Sequence, residues 1–207
     1  MVDTQVRPSD VTKFPIIDAM LHVPRETFVP DSLREAAYVG ENLDIGGGRV
    51  MLEPRTLAKM LDALDVQPTH VALDIACGLG YSTAVMAAMC DFVVAVEDDP
   101  SRAEEAQALL SGYGTDNAAV MTGPLQDGSV KSGPYDIIMV QGGVVDVPEP
   151  IISQLREGGR IACVFAEGTL GVVRIGHKID GVVNWRFSFN ASAPVLQGFE
   201  GQAVFAL

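Results

Sequence analysis

The spacing of hydrophobic positions changes twice along this chain, and the changes separate three regions. In the first region, up to residue 66, apolar residues recur at helical spacing and are interrupted by prolines at 24 and 30. From residue 70 onward, short apolar runs alternate with helical stretches, which is the order of parallel βαβ units. Beyond Phe165 the helices stop, and two alternating stretches flank Asp180-Gly181, a dipeptide that favours a hairpin turn.

These patterns predict the individual elements. We predict helices at residues 11–23, 54–64, 82–89, 101–110 and 148–155. We predict strands at residues 71–73, 92–96, 118–121, 137–140 and 160–165, and hairpin strands at 172–179 and 183–189. The expected fold is α/β: a doubly wound, Rossmann-like, mostly parallel seven-stranded sheet with an antiparallel C-terminal hairpin and an N-terminal helical extension. We expect one domain over residues 1–207, with the extension at 1–66 and the core and hairpin at 67–207.

Glycines interrupt the pattern at two places. The glycine run 46–48 precedes the helix that begins at Pro54, and we expect it to let the backbone approach another group closely. The pair Gly158-Gly159 is expected to end the helix before the fifth strand, because glycine readily takes the left-handed conformation at a helix C-terminus.

Composition narrows the class of protein. Hydrophobic residues at 48% and charged residues at 20% exclude a disordered chain. The formal net charge of −13 argues against nucleic acid as a partner, since a phosphate-binding surface needs clustered Lys and Arg. The longest apolar runs fall far short of the ~20 residues that span a bilayer, so we expect no membrane contact. Three separated cysteines, Cys77, Cys90 and Cys163, and an N-terminus without a signal-peptide pattern indicate the cytoplasm.

The strongest local signal for a ligand is the segment 74–81, DIACGLGY, between a predicted strand and a predicted helix. Its glycines permit a tight turn beside a ligand, although such a turn can also serve packing alone. The carboxylate of Asp74 would repel a dinucleotide pyrophosphate but attract the ammonium group of S-adenosylmethionine. Thr83 also stands at the third glycine position of a dinucleotide fingerprint. We therefore expect S-adenosylmethionine rather than NAD.

Two further strand ends contribute to the predicted site. Glu97 ends the second strand, where a carboxylate can accept hydrogen bonds from both hydroxyls of a ribose. Asp99 is predicted to cap the following helix. Gln141, with Gly142-Gly143, is expected to line the pocket at the carboxyl edge of the sheet. The predicted cofactor-binding residues are Asp74, Ala76, Cys77, Gly78, Gly80, Tyr81, Glu97, Asp98 and Gln141.

Other chemistries lack their sequence signals. His22, His70 and His177 are scattered without metal-ligand spacing, so we predict no metal. A Ser-His-Asp hydrolase is not supported, because the sequence contains no GxSxG turn after a strand.

Several motifs outside the loop at 74–81 occur in a fixed order. They are Met20–Pro30, Ala37-Tyr38, Leu43, Ile45-Gly46, Tyr135-Asp136, Val147-Pro148, Gln154-Leu155, Gly158-Gly159-Arg160 and Arg186-Phe187. Together with the loop, they resemble the protein-L-isoaspartate O-methyltransferase family over most of the chain. The resemblance implies methyl transfer from S-adenosylmethionine to the free carboxylate of an L-isoaspartyl residue in a damaged protein, with S-adenosylhomocysteine as product.

The chain departs from this family's pattern chiefly on the acceptor side. Val50 and Leu52 stand where the family has a threonine and a serine, and Gly40 replaces an aspartate. Pro124 stands where the family's Gly-Asp-Gly loop supplies an acid near the adenine. We identify no catalytic residue. The acceptor-side candidates are Val50, Leu52 and Glu53, of which Glu53 either supplies a new polar contact or is an acid beside the helix that starts at residue 54.

These departures leave three functions open. The first is an isoaspartyl methyltransferase, as the resemblance implies. The second is a methyltransferase for another acceptor, since valine and leucine would make the acceptor pocket more apolar. The third is a non-catalytic protein that uses the S-adenosylmethionine fold as a scaffold. The oligomeric state and any redox role of Cys77 are also open.

Overall fold

The computed structural model describes residues 1–168 and 170–201, so the predicted domain end at residue 207 lies outside the described residues. Short helical turns at Val2–Val6 and Arg7–Ser9 precede helix α1, Phe14–His22, and turns at Arg25–Phe28 and Asp31–Ala36 follow it. The other helices are α2 (Pro54–Leu64), α3 (Tyr81–Ala87), α4 (Pro100–Tyr113) and α5 (Glu149–Gln154), with short turns at Leu125–Asp127 and Val130–Ser132. None of the helices in the described ranges combines the length and the apolar character needed to cross a membrane.

The strands form two sheets. Strands β1 (Leu43–Gly46) and β2 (Arg49–Met51) pair as an antiparallel hairpin. The large sheet contains β3 (Val71–Ile75), β4 (Phe92–Glu97), β5 (Ala118–Thr122), β6 (Tyr135–Val144), β7 (Leu155–Glu167), β8 (Leu170–Ile179) and β9 (Val182–Asn190). Its order is β5-β4-β3-β6-β7-β8-β9, in which β3 to β7 pair in parallel and β8 and β9 join antiparallel. The predicted fold class is confirmed.

The strand order creates a crevice at one edge of the large sheet. Strand β3 lies between β4 and β6, so the chain winds outward in opposite directions from this point. Ligands of open parallel sheets bind outside the carboxyl ends of the strands at such a reversal. Asp74 of β3, Glu97 at the end of β4 and Gln141 of β6 all lie at this edge.

Apolar side chains pack on both faces of this sheet. One core contains Leu61 of α2, Val85 of α3 and Val93 of β4, and the other contains Ile138 of β6 and Ile151 of α5. Covering both faces explains why the central strands are continuous apolar runs rather than alternating ones. The same packing holds α3, and with it the loop at its N-terminus, against the sheet.

The pair Gly158-Gly159 does not end a helix, so that prediction is wrong. Helix α5 ends at Gln154, and the pair lies inside β7. A Cβ on Gly159 would lie 2.8 Å from the carbonyl oxygen of Arg156 and 2.9 Å from that of Asp136. Glycine is required there because two backbone segments pass too close for a side chain.

The glycine run 46–48 forms the turn of the β1–β2 hairpin, which hydrophobic periodicity did not predict. The three residues have φ angles of 86°, 64° and 73°. A Cβ on Gly46 or Gly48 would meet no described atom within 4 Å, although the Gly46 carbonyl oxygen accepts a hydrogen bond from Arg102 Nη2 at 3.3 Å. They are glycines because the turn needs a left-handed backbone.

Asn117, beside β5, holds the C-terminal end of α3. Its Nδ2 lies 2.8 Å from the carbonyl oxygen of Ala87 and 3.2 Å from those of Cys90 and Asp91.

We expect Asn117→Ala to lower the free energy of unfolding by about 1–3 kcal/mol, because these carbonyls lose their donor. Urea unfolding measures the change. Asn184→Ala removes an exposed hydrogen bond on β9 and is the control, with an expected change below about 0.5 kcal/mol. Equal losses in the two variants would contradict this assignment.

Candidate functional site

The loop between β3 and α3 turns sharply at the carboxyl edge of the sheet. Gly78 and Gly80 have φ angles of 60° and 96°, and Ala76 has a φ of 67°, a conformation that alanine rarely adopts. Ala76 and Cys77 both donate from their backbone N–H groups to the carbonyl oxygen of Val96, at 2.8 and 3.3 Å. These bonds fix the loop to the end of β4 and offset the local strain.

Asp74 is fully buried and ties this loop to two elements. Its Oδ2 accepts hydrogen bonds from Ser82 Oγ at 2.6 Å and Thr83 Oγ1 at 2.7 Å, and its Oδ1 accepts one from Gln141 Nε2 at 2.8 Å. Burial raises the pKa of Asp74 to about 6, although these three donors oppose the shift. A carboxylate has about four acceptor sites, so these three donors leave one site on Oδ1 unused.

Glu97 is also fully buried, and its partners come from three different elements. Arg49 of β2 makes a bidentate ion pair with it, Nη1 to Oε1 at 3.0 Å and Nη2 to Oε2 at 2.9 Å. Gly78 N donates to Oε2 at 3.0 Å, and Arg102 Nη1 donates to Oε1 at 3.3 Å. Burial raises the pKa of Glu97, and the charge of Arg49 opposes that shift.

The two aspartates after Glu97 have different partners. Asp98 Oδ1 accepts a hydrogen bond from Arg49 Nη1 at 2.8 Å. Asp99 accepts from the backbone N–H groups of Ser101 and Arg102 at 2.9 and 3.1 Å, so it caps α4 as predicted. An open cleft of about 750 Å³ lies beside Asp98 and Asp99. The residues that line it include Gly47, Arg49, Asp98, Arg102, Leu196 and Gln197.

A second, smaller cavity of about 20 Å³ lies between the hairpin and the loop, with room for about one water molecule. Val50 and Leu52 line it, together with Ile45, Met51, Leu57, Ala76, Cys77, Gly78, Leu79, Tyr81, Ser82 and Gln141. Glu53 is not among its lining residues. The carboxylate of Glu53 instead accepts a hydrogen bond from Thr56 Oγ1 at 2.7 Å, at the start of α2.

The side chains of Cys77 and Tyr81 are both buried in this region. Burial raises the pKa of the Cys77 thiol well above its usual value, and the charges of Asp74 and Glu97 raise it further. A raised pKa favours the protonated thiol at neutral pH. The Tyr81 ring packs under the guanidinium of Arg25, with 4.8 Å from Cζ to the ring centroid.

The C-terminal segment, residues 191–201, covers the end of β6. Gly143 N donates to the carbonyl oxygen of Pro194 at 2.7 Å, and Leu196 N donates to that of Gly143 at 2.9 Å. A Cβ on Gly142 would lie 2.5 Å from Leu196, so both glycines meet this segment. Gln141 lines the small cavity, whereas Gly142 and Gly143 pack against this segment and are not among the residues that line that cavity.

Sequence reasoning missed several residues of this region. They are Arg49, Ser82, Arg102 and Leu196, and Thr83 was noted only because it is not glycine. The hydroxyls of Ser82 and Thr83 could have been found, since they open the helix that follows the loop. No local signal marks Arg49, which lies 48 residues before Glu97 in the chain.

Known proteins match this chain over most of its length. The family model for Protein-L-isoaspartate(D-aspartate) O-methyltransferase (PCMT) matches residues 3–185. A Protein-L-isoaspartate O-methyltransferase from Syntrophus aciditrophicus is 38% identical over 161 residues, which are 78% of this chain and 74% of that protein.

Solved structures give the same result. A protein-L-isoaspartate O-methyltransferase structure has a TM-score of 0.82 and 25% identity, and the match covers 94% of this chain but only 64% of that longer one. A Plasmodium falciparum protein described as a protein-L-isoaspartate O-methyltransferase, in complex with S-adenosyl-L-homocysteine, has a TM-score of 0.80 and 20% identity over 92% of this chain and 94% of its own. Because the Plasmodium falciparum protein is only 20% identical, its similarity concerns the fold alone. The family match and the 38% identity show that this chain belongs to the protein-L-isoaspartate(D-aspartate) O-methyltransferase family.

Proposed function

We propose that this protein transfers the methyl group of S-adenosylmethionine to the free carboxylate of isoaspartyl residues in damaged proteins. The observation that carries the proposal is the pair of buried carboxylates, Asp74 and Glu97, at the carboxyl ends of adjacent parallel strands beside a glycine loop. Membership of the methyltransferase family supports the same reaction.

The residues of the crevice fit this cofactor in their chemistry. Asp74 has one free acceptor site for the ammonium group, and Glu97 is the acceptor for the ribose hydroxyls. Gly78 and Gly80 give the loop the left-handed backbone of its tight turn, and a Cβ on Gly80 would lie 3.2 Å from Leu110 Cγ. We therefore assign cofactor contacts to Asp74, Gly78, Gly80, Glu97 and the neighbouring predicted residues. The remaining predicted contacts are Ala76, Cys77, Tyr81, Asp98 and Gln141.

For this reaction the protein must position the reactants and does not need to transfer a proton. The bound cofactor supplies an electrophilic methyl group on a sulfonium, which becomes a neutral thioether when the methyl group leaves. An isoaspartyl carboxylate is already ionised at pH 7 and attacks without a general base. The task of the chain is therefore to hold the acceptor in line with the methyl group and to exclude water, an effect worth up to about 7–11 kcal/mol.

The acceptor side distinguishes a second candidate, a methyltransferase for a less polar acceptor. Val50 and Leu52 present apolar side chains to the small cavity where the family pattern has hydroxyls.

In this proposal residues 1–66 form the acceptor-side segment of a single domain. We place the protein in the cytoplasm without a nucleic-acid or membrane partner, which its charge of −13 and its three buried free cysteines support.

Transfer of labelled methyl from S-adenosylmethionine to an isoaspartyl peptide tests the proposal, with the matching aspartyl peptide as control. We expect a base-labile methyl ester on the isoaspartyl peptide alone. A folded protein that binds S-adenosylhomocysteine but esterifies neither peptide would refute the isoaspartyl reaction. If that protein methylates a less polar carboxylic acid instead, the result favours the second candidate.

Val50→Thr is expected to raise kcat/KM for the isoaspartyl peptide. The substitution conserves shape and adds a hydroxyl where the family has one, and one hydrogen bond of about 1 kcal/mol gives about a fivefold increase. Steady-state kinetics measures the change. Val66→Thr makes the same substitution outside the cavity and should leave kcat/KM unchanged. A decrease in the first variant, or equal changes in both, would contradict the role given to Val50.

Asp74 gives cofactor binding a defined pH dependence. Its pKa of about 6 means that it loses its charge, and its attraction for the ammonium group, as the pH falls through this value. We expect the Kd for S-adenosylhomocysteine to rise about tenfold between pH 7.5 and pH 5, because about one tenth of Asp74 is then ionised. Isothermal titration calorimetry measures the Kd. Asp74→Asn retains the Glu97 titration and should remove most of the dependence. The same dependence in both proteins would argue against Asp74 as the ammonium partner.

A further inference from the structure

The acceptor sites of Glu97 are all used by this chain itself. Its two oxygens offer about four lone-pair sites. Arg49 fills one site on each oxygen, and Gly78 N fills the second site on Oε2. Arg102 Nη1 and the backbone N–H of Asp99 both donate to Oε1, at 3.3 and 3.5 Å. A ribose therefore finds no free acceptor on Glu97 in this arrangement.

We propose that Arg49 is a gate for the cofactor, which must exchange the guanidinium of Arg49 for its ribose hydroxyls on Glu97. The two N–H groups of Arg49 occupy one acceptor site on each carboxylate oxygen, and the two ribose hydroxyls need the same number of sites. Gly78 and Arg102 keep their bonds to Glu97 through the exchange. The inference rests on the proposed function in taking S-adenosylmethionine as the ligand of this crevice.

Asp98 gives the released guanidinium a second partner. Its Oδ1 already accepts a hydrogen bond from Arg49 Nη1 at 2.8 Å. The Asp98 side chain is 34% exposed, whereas that of Glu97 is fully buried, so the guanidinium can turn toward the open cleft without losing a carboxylate. Arg49 Nε is buried and has no hydrogen-bond partner among the described residues, a cost of the closed position that the movement would relieve.

The hairpin that carries Arg49 also covers the cofactor loop. Ile45 of β1 packs against Gly78. A Cβ added to Gly78 would lie only 2.9 Å from Ile45 Cδ1. The hairpin turn is held by Arg102 Nη2, which donates to the carbonyl oxygen of Gly46 at 3.3 Å. A two-stranded hairpin has little stability of its own, so contacts with the loop and α4 keep it in place. Val50 follows Arg49 in β2, so a movement of Arg49 would also displace this acceptor-side residue.

Calorimetric titration with S-adenosylhomocysteine tests the gate. We expect Arg49→Gln to bind at least about tenfold more tightly than the unmodified protein, because no bidentate ion pair must be broken. Arg49→Lys keeps the charge but can hold only one oxygen well, so its Kd should lie between the two. Arg55→Gln removes an arginine of the adjacent helix that pairs with Glu53 and not with Glu97, and its Kd should equal that of the unmodified protein.

Thermal unfolding without ligand gives a second measurement. Arg49→Gln should melt at a lower temperature, because buried Glu97 loses its partner, and S-adenosylhomocysteine should raise its melting temperature more than that of the unmodified protein. If the glutamine variant does not fold, the lysine variant decides the comparison. Equal or weaker binding by the position-49 variants would overturn the gate while the cofactor assignment stands. Binding by none of the proteins would overturn both.

Discussion

The burial of two carboxylates at the ends of adjacent strands is the constraint on which the site depends. An ionised carboxylate removed from water is stable only when charged or hydrogen-bonding partners surround it. Asp74 obtains its partners from α3 and β6, and Glu97 obtains its partners from β2, the glycine loop and α4. Because these partners come from separate parts of the chain, the two carboxylates join the elements that surround the crevice.

The two carboxylates differ in what they leave for a ligand. Asp74 is held by neutral donors, keeps one acceptor site, and has a pKa raised to about 6 by burial. Glu97 is held by two arginines and by the backbone N–H groups of Gly78 and Asp99, and it keeps no free acceptor site. In the proposed cofactor site, the ammonium group would therefore meet a free acceptor on Asp74, whereas the ribose would have to exchange a partner on Glu97.

The acceptor side is governed by packing rather than by charge. Val50 and Leu52 face a cavity that holds about one water molecule, and Ile45 lies against the loop glycine beside it. Apolar side chains therefore form most of the lining of this cavity. Ile45, Val50 and Met51 belong to the hairpin, which Arg49 joins to Glu97 by their ion pair.

Local patterns in the sequence were sufficient for the parallel sheet, the loop at 74–81, the cap by Asp99 and the position of Asp74, Glu97 and Gln141 at one edge. These features depend on residues near one another in the chain and on the rule that parallel strands end at a common edge. The sequence could not predict the ion pair of Arg49 with Glu97, the cover of the C-terminal segment over Gly142 and Gly143, or the close backbone contact at Gly159. Each of these joins residues that are distant in the chain or backbone atoms without a side-chain signal. Only tertiary packing brings such groups together, because burial and hydrogen bonding are decided by which segments meet in space.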